Sequence, residues 1–512
     1  MAATEFSAET HFPYMYQLLA LVCLAAVVYK LIAVVQRRRH FIKHVRQFPA
    51  PPTHWLFGHI RELYKDGNEL FTFLRWQEQY TDAIPVWVGP NNCFVNLHHP
   101  DYVRTLLASV EPKDNIVYPF FEPWIGEGLL LASGQKWFRH RRLLTRGFHY
   151  DVLKPYVKLM SDSAKTMLDN WESYAHSGEP FELFEHVSLM ALDSILKCAF
   201  SYNSNCQAES GSNAYVKAVF DLSELINKRF MFFPYYSDLI FHLSPHGFQF
   251  RKSCRIAHNH TAEVIQARKE VLKREEEMDR VQTKRYQDFL DILLLAKDED
   301  QMGLTEEEIR AEVDTFMFEG HDTTASGISF ILYSLACNPE HQKLCREEVM
   351  QALDGKASFE VEDLGKIPYT TMCIKESLRL YPPVPGVSRV LTKPMTFVDG
   401  RSLPAGFRVG VAIFGLHRNP SVWENPSVYD PLRFLPENVS KRSPHAFVPF
   451  AAGPRNCIGQ NFAMNELKVT IAETLRRYEL MEVPNFKPRI VPRLVLRSLN
   501  GVYIKIKPLN AK

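Results

Sequence analysis

Cys457 lies in Phe450-Ala-Ala-Gly-Pro-Arg-Asn-Cys-Ile-Gly459, between two glycines and two residues after Arg455. A thiolate stays ionised and metal-bound only where donors surround it. Glycine turns let backbone N–H groups come close to a sulfur. The next run, Asn461-Phe-Ala-Met464, has helical spacing, and a helix N-terminus favours negative charge. Arg455 adds a fixed cation suited to a propionate or a phosphate.

Three other constellations carry chemistry. Trp137 and Arg141 are i and i+4 on one helical face, where an indole N–H and a guanidinium can bind a carboxylate; the alternative is a solvated basic helix, since Arg139, His140, Arg142 and Arg146 share it. Glu319 and Thr323 are also i and i+4, with Asp322 alongside, on a long helix that Thr305 and Glu308 can open as a capping box. An acid beside an alcohol can hand protons to a bound oxidant. Glu376 and Arg379 are i and i+3, and Arg433 comes later in Asp430-Pro-Leu-Arg-Phe434. Glu-x-x-Arg is common by chance and means little alone.

These groups need elements to hold them. Of 512 residues 46% are hydrophobic, enough for a large core, and the net charge of +2 argues against a nucleic-acid binder. Nine scattered cysteines, with no Cys-x-x-Cys pair, argue against a disulfide framework and for a reducing compartment. Leu18–Tyr29 is an unbroken apolar run that Leu31–Val35 continues, giving roughly the twenty residues a bilayer requires. Glu5 and Glu9 precede it; Arg37, Arg38, Arg39, Lys43 and Arg46 come after, which puts the bulk of the chain on the cytosolic side. The expected division is an anchor over 1–36, a basic and proline-rich linker over 37–52, stiffened by Pro49, Pro51 and Pro52, and one catalytic domain over 53–512. Long amphipathic patterns (Thr305–Leu335, Tyr369–Leu380) and short strand-like runs (Ile84–Val88, Cys93–Leu97, Phe407–Ile413, Val502–Ile506) indicate a mainly α fold with small β-sheets. Pro85 makes the first run an edge strand. Arg268–Arg285 reads as a solvated helix end and loop. The aromatic-rich Arg229–His242 fits either core packing or a lid touching the bilayer.

Phe-x-x-Gly-x-Arg-x-Cys-x-Gly resembles the haem-binding loop of the cytochromes P450, with every fixed position present. The resemblance implies that fold, with one N-terminal transmembrane helix. It makes Cys457 the axial ligand of the iron of haem b. Trp137 and Arg141 then hold a propionate, and Arg455 adds to the haem contacts. Glu376, Arg379 and Arg433 become a buried charge network supporting the cysteine loop. Asp322 and Thr323 become the proton-delivering pair. Glu319 stands where most members carry alanine or glycine, and Phe318-Glu-Gly-His-Asp-Thr-Thr324 resembles family 4, in which this glutamate is esterified to a haem methyl. Pro51–Gly58, Gly147–Pro155, Thr371–Arg379 and Pro449–Ala463 extend the likeness over residues 45–508, with subfamily B the nearest. The activity it implies is omega-hydroxylation of fatty acids and oxidation of xenobiotics at the cytosolic face of the endoplasmic reticulum membrane. Electrons would come from NADPH through cytochrome P450 reductase docking on the Arg139–Arg146 face, with cytochrome b5 as a second partner. An isomerase of lipid peroxides, or a haem sensor, would have no use for Asp322 and Thr323.

Overall fold

The computed structural model describes residues 11–63, 68–208, 213–274, 288–299, 301–356 and 358–509. Helix α1 (His11–Val45) leads the chain, and from Met15 its apolar residues face outward on every side. It is long and apolar enough to cross a bilayer, with a mean hydropathy of 2.7 over its best window. The helix does not stop at the basic cluster. It runs on to Val45, and Phe41, Val45 and Phe48 are buried against Trp87, Phe397 and Phe407. Arg37 and Arg38 lie over the Phe41 and Trp87 rings at 5.6 and 5.0 Å. Of residues 37–52 only 49–52 have neither helix, turn nor bend. The stretch 37–52, expected as a linker from its charge and prolines, is therefore helical as far as Val45. The reason is the i, i+4 pair Phe41 and Val45, which gives the end of the helix an apolar face to bury.

A small sheet receives it. Strands β1 (Ala83–Val88), β2 (Asn92–Leu97), β3 (Val387–Val390) and β4 (Arg408–Val411) are ordered β1-β2-β4-β3, with the central β2–β4 pair parallel and the others antiparallel. Pro85 sits on the edge strand, where its missing N–H costs no ladder bond. Lys113 pairs with Arg389 of β3 through an isolated bridge, which brings a second cation to that edge.

The helical body is built from α2 (Gly134–Thr145), α3 (Tyr156–Asn170), α4 (Leu183–Phe200), α5 (Ala214–Met231), α6 (Pro245–Leu272), α7 (Glu306–Ala336), α8 (Pro368–Leu380) and α9 (Gln460–Arg477). Helix α7 is the axis. Thr305 accepts from the Glu308 N–H at 3.2 Å and Glu308 accepts from the Thr305 N–H at 3.0 Å, closing the capping box. It packs on α4, α6, α8 and α9. Two glycines permit the closest approaches: a Cβ on Gly320 would stand 2.9 Å from Ile195, and one on Gly327 3.3 Å from Leu467 of α9. Glycine in a helix interior costs about 1 kcal/mol, offset here by packing that no other residue allows.

Of the expected polar loop at 268–285, residues up to Leu272 are helical and 275–287 lie outside the described residues. The aromatic stretch divides. Arg229 and Phe241 are buried, whereas Phe232, Phe233, Leu239 and Ile240 are exposed.

Candidate haem-thiolate site

The cysteine loop is shaped by its backbone. Gly453 has φ +72°, and a Cβ there would stand 1.9 Å from the Leu107 carbonyl oxygen, so only glycine closes the turn. Ala451 is also left-handed, at φ 57°, a cost of order 1 kcal/mol that the surrounding fold sustains. The Cys457 N–H donates to the Phe450 carbonyl at 2.9 Å, and α9 begins three residues later. Cys457 is exposed in the loop. Burial pushes its thiol up to about 11; Glu319 adds to the shift, while the Gly459 N–H, Arg141 and Lys113 oppose it. A cation bound to the sulfur would reverse this balance and hold it as thiolate.

Cations gather round that sulfur. Arg455 donates to the Ala132 carbonyl and lies 4.8 Å over the Trp137 ring, and its buried Nε has no partner among the described residues. Burial, then Arg389, pushes its guanidinium down to about 10. Lys113 is held well below the usual lysine range by burial and by Arg389 and Arg455, with Glu319 and Cys457 pulling it back. Its ammonium is 5.0 Å from the Tyr118 ring centre. Burial lowers Arg389 as well. Lys113 and Arg389 belong to no spacing pattern in the sequence; the sheet edge alone brings them here.

Arg141 donates to the Asn456 carbonyl and Oδ1, both at 2.8 Å, so it braces the residue before Cys457. The ring of Trp137 is covered by Arg455 and not by Arg141, because Arg141 reaches sideways to the loop. On α7, Glu319 lies within electrostatic reach of Lys113 and Cys457. Its carboxyl is pushed up to about 7 by burial, against the pull of Lys113. Thr323 Oγ1 donates to the Glu319 carbonyl at 2.7 Å. Asp322 points away: one oxygen pairs with Arg497, whose guanidinium covers the Phe184 ring at 3.8 Å, and the other is buried without a partner among the described residues. The side chains of Asp322 and Thr323 point in different directions, as those of i and i+1 on a helix must.

Behind the loop, Arg379 donates to Glu376 at 2.7 and 2.8 Å, and to the carbonyls of His417, Pro426 and Val428. The Asp430 N–H donates to Glu376 at 2.9 Å, and Arg433 stands 3.5 Å away. The basic face of α2 is smaller than its composition suggests. Arg139 pairs with Asp298 and Glu308, and His140 is buried between Glu308 and Glu312. Arg142, paired with Glu299, and Arg146 remain outside.

Residues 49–505 match the cytochrome P450 family. The chain belongs to that family. It is 50% identical over 497 residues to cytochrome P450 4B1 of Rattus norvegicus, covering 96% of each protein. It is 51% identical over 480 residues to cytochrome P450 4B1 of Homo sapiens, covering 94% of each. It is 50% identical over 493 residues to cytochrome P450 4A11 of Homo sapiens, covering 96% of this chain and 94% of that one. Relatives of the A and B groups stand equally near, so identity does not divide them.

The residues fit the haem that this monooxygenase family carries. Cys457 would supply the sulfur, and the orphaned Arg455 Nε with Lys113 and Arg389 would supply donors for two carboxylates that the protein itself does not provide. When bound, haem supplies the oxygen-activating redox chemistry. What the chain supplies is orientation: a fixed sulfur, a cationic rim, and a helix face carrying Glu319 and Thr323.

Proposed function

We propose that this P450 hydroxylates fatty acids and related apolar chains, favouring the terminal carbon, with xenobiotics as further substrates. The observation that carries the reading is Glu319, a carboxyl of raised proton affinity on the face of α7 that looks toward Cys457. A carboxylate is costly to bury and calls for a purpose. Linked as an ester to a haem methyl, it would fix the floor of the pocket, and a fixed floor favours attack at a chain end over the weaker C–H bonds beside it. Replacing a methyl C–H by C–O is a two-electron oxidation, which turnover provides. Cys457 is the ligand in this reading, Arg455, Lys113, Arg389 and Trp137 hold the carboxylates, and Arg141 braces the loop. Thr323 faces the substrate, and Asp322 delivers protons once it leaves Arg497.

Helix α1 sets the protein on the endoplasmic reticulum membrane with its catalytic domain in the cytosol, supported by the basic residues after the apolar run. Exposed Phe232, Phe233, Leu239 and Ile240 suit contact with the same bilayer. Electrons come from NADPH through a reductase, drawn to the sulfur side.

Product analysis after incubating a fatty-acid panel with reductase and NADPH tests the activity. Terminal alcohols at the expense of NADPH are expected; turnover of lipid peroxides without NADPH would install the isomerase reading instead. Denaturing mass spectrometry should find haem travelling with the wild-type chain and not with Glu319→Ala. Fully extractable haem after extensive turnover would end the ester proposal.

A further inference from the structure

Glu466 lies on α9, in the helix that begins just after the cysteine loop, and is wholly inside the protein. Among the described residues neither carboxyl oxygen closes a hydrogen bond, and no cation acts on the group. Its neighbours are two hydroxyls, Ser194 of α4 and Thr324 of α7, at longer than close bonding distance. The donor inventory fixes what can happen between them. Thr324 Oγ1 already gives its one hydrogen to the Gly320 carbonyl at 2.8 Å, with the His321 carbonyl at 3.2 Å. Toward Glu466 it offers lone pairs only, and so does a carboxylate. The two can bond directly only when Glu466 carries a proton. Ser194 Oγ closes no hydrogen bond among the described residues; Cys198 is also within its reach, but a thiol held protonated by burial is the weaker acceptor, so the Ser194 hydrogen goes to the second oxygen.

We propose that Glu466 is a neutral carboxylic acid that donates to Thr324 and accepts from Ser194, a buried lock tying the Glu319–Thr323 turn of α7 to α4 and to the helix after Cys457. It is a positioning residue, one side chain removed from the reacting groups. The other titratable groups around it do not compete. Cys198 on α4 is held protonated by burial; Asp193 and Lys197 on α4 pair at 2.6 Å; Asp322 on α7 is occupied by Arg497. Burial pushes Glu466 up to about 7, opposed only by the two hydroxyls. A carboxyl raised in this way stabilises the fold fully below the ordinary value of about 4.3, and that contribution is lost as pH rises through the raised one.

Infrared difference spectroscopy of the full-length, haem-loaded protein between pH values below and above 7 tests the lock. A carbonyl-stretch component of a buried protonated carboxyl should disappear as pH rises. Glu319, Asp288 and Asp314 are raised by burial too, so only the component absent in Glu466→Gln is assigned. Thr324→Val, which removes the acceptor, should move that component to higher frequency, and Ser194→Ala should move it as well. A spectrum unchanged in Glu466→Gln would overturn the neutral acid, and a band unmoved in Thr324→Val would overturn the lock. The ferrous-carbonyl spectrum gives the positional readout. Glu466→Gln, which keeps a donor and an acceptor, should hold the red-shifted form at alkaline pH, where the wild type loses part of it. Equal losses in both would sink the positioning role. The inference rests on Cys457 and Thr323 serving one site, but the infrared result does not depend on the substrate.

Discussion

Glu376 and Arg379 answer each other directly, whereas around Cys457 cations collect with little to answer them. Arg379 there satisfies Glu376 twice and three backbone carbonyls besides, and Asp430 and Arg433 complete the group. Lys113, Arg141, Arg389 and Arg455 have their proton affinity depressed, with burial the leading cause in each, and none of them forms a salt bridge among the described residues. A closed network of charges holds loops in place. An open one is a site that a bound anion completes, because desolvated cations gain most from a charged ligand. On the proposed reading the difference separates the residues that build this protein from those that would grip its cofactor, and it can be tested by removing one member of each set.

The largest effect belongs to the closed set. Arg379→Ala strands Glu376 in the interior, which costs about 3–5 kcal/mol. Denaturant unfolding should show that loss, and little of the protein should carry a red-shifted ferrous-carbonyl band. A variant within about 1 kcal/mol of the wild type would mean that the network is not structural. Arg455→Met sits in the open set and should act the other way round. The fold persists, because its guanidinium lacked a partner at Nε and only the contacts with the Ala132 carbonyl and the Trp137 ring are lost. Haem loss, measured by transfer to an acceptor protein, should accelerate roughly ten- to a hundredfold, the worth of a hydrogen bond to a charged group. Global unfolding without faster haem transfer would move Arg455 into the closed set.

Lys113→Met refines the comparison through Glu319. Lys113 is the cation that lowers Glu319 against its burial, so removing it raises the carboxyl above the present value of about 7. Less carboxylate is then available at neutral pH, and the covalently retained haem per turnover should fall. Raising the pH should restore it. A yield independent of pH in both proteins would show that the ionisation of Glu319 does not govern the linkage.

The same division decides which parts were legible in the chain. Glu376, Arg379, Thr305 and Glu308 act over three residues of one helix, and local spacing reports them. Gly453 and Cys457 act within one turn, where backbone geometry demands particular residues. Lys113 and Arg389 are separated by hundreds of residues and meet across a strand edge, and no period records that. Arg141 and Asp322 show the converse: the right residues on the right helix, turned toward Asn456 and Arg497 by partners far along the chain. The end of α1 was hidden by its charge, since Phe41 and Val45 hold their buried face among basic neighbours.

The smallest expected effect concerns the outside of α2, where the contrast between closed and open charge repeats at the surface. Arg139 and Arg142 look alike in the sequence. Arg139 is bonded to Asp298, Glu308 and the carbonyls of Met302 and Gly303, so reversing its charge should chiefly destabilise the turn before α7. Arg142 meets only Glu299 among the described residues, and both side chains are well exposed, at 60% and 80%. Such a pair contributes about 0–1 kcal/mol, and its charge remains open to an acidic partner. Arg142→Glu should therefore leave stability unchanged and slow reduction of the haem by the reductase a few-fold at low salt. The difference should vanish as added salt shortens the screening length, about 8 Å in physiological buffer. Stopped-flow reduction across a salt series decides it: equal rates at low salt would place the docking surface elsewhere, and slowing that persists at high salt would mean that Arg142 acts through structure rather than through steering.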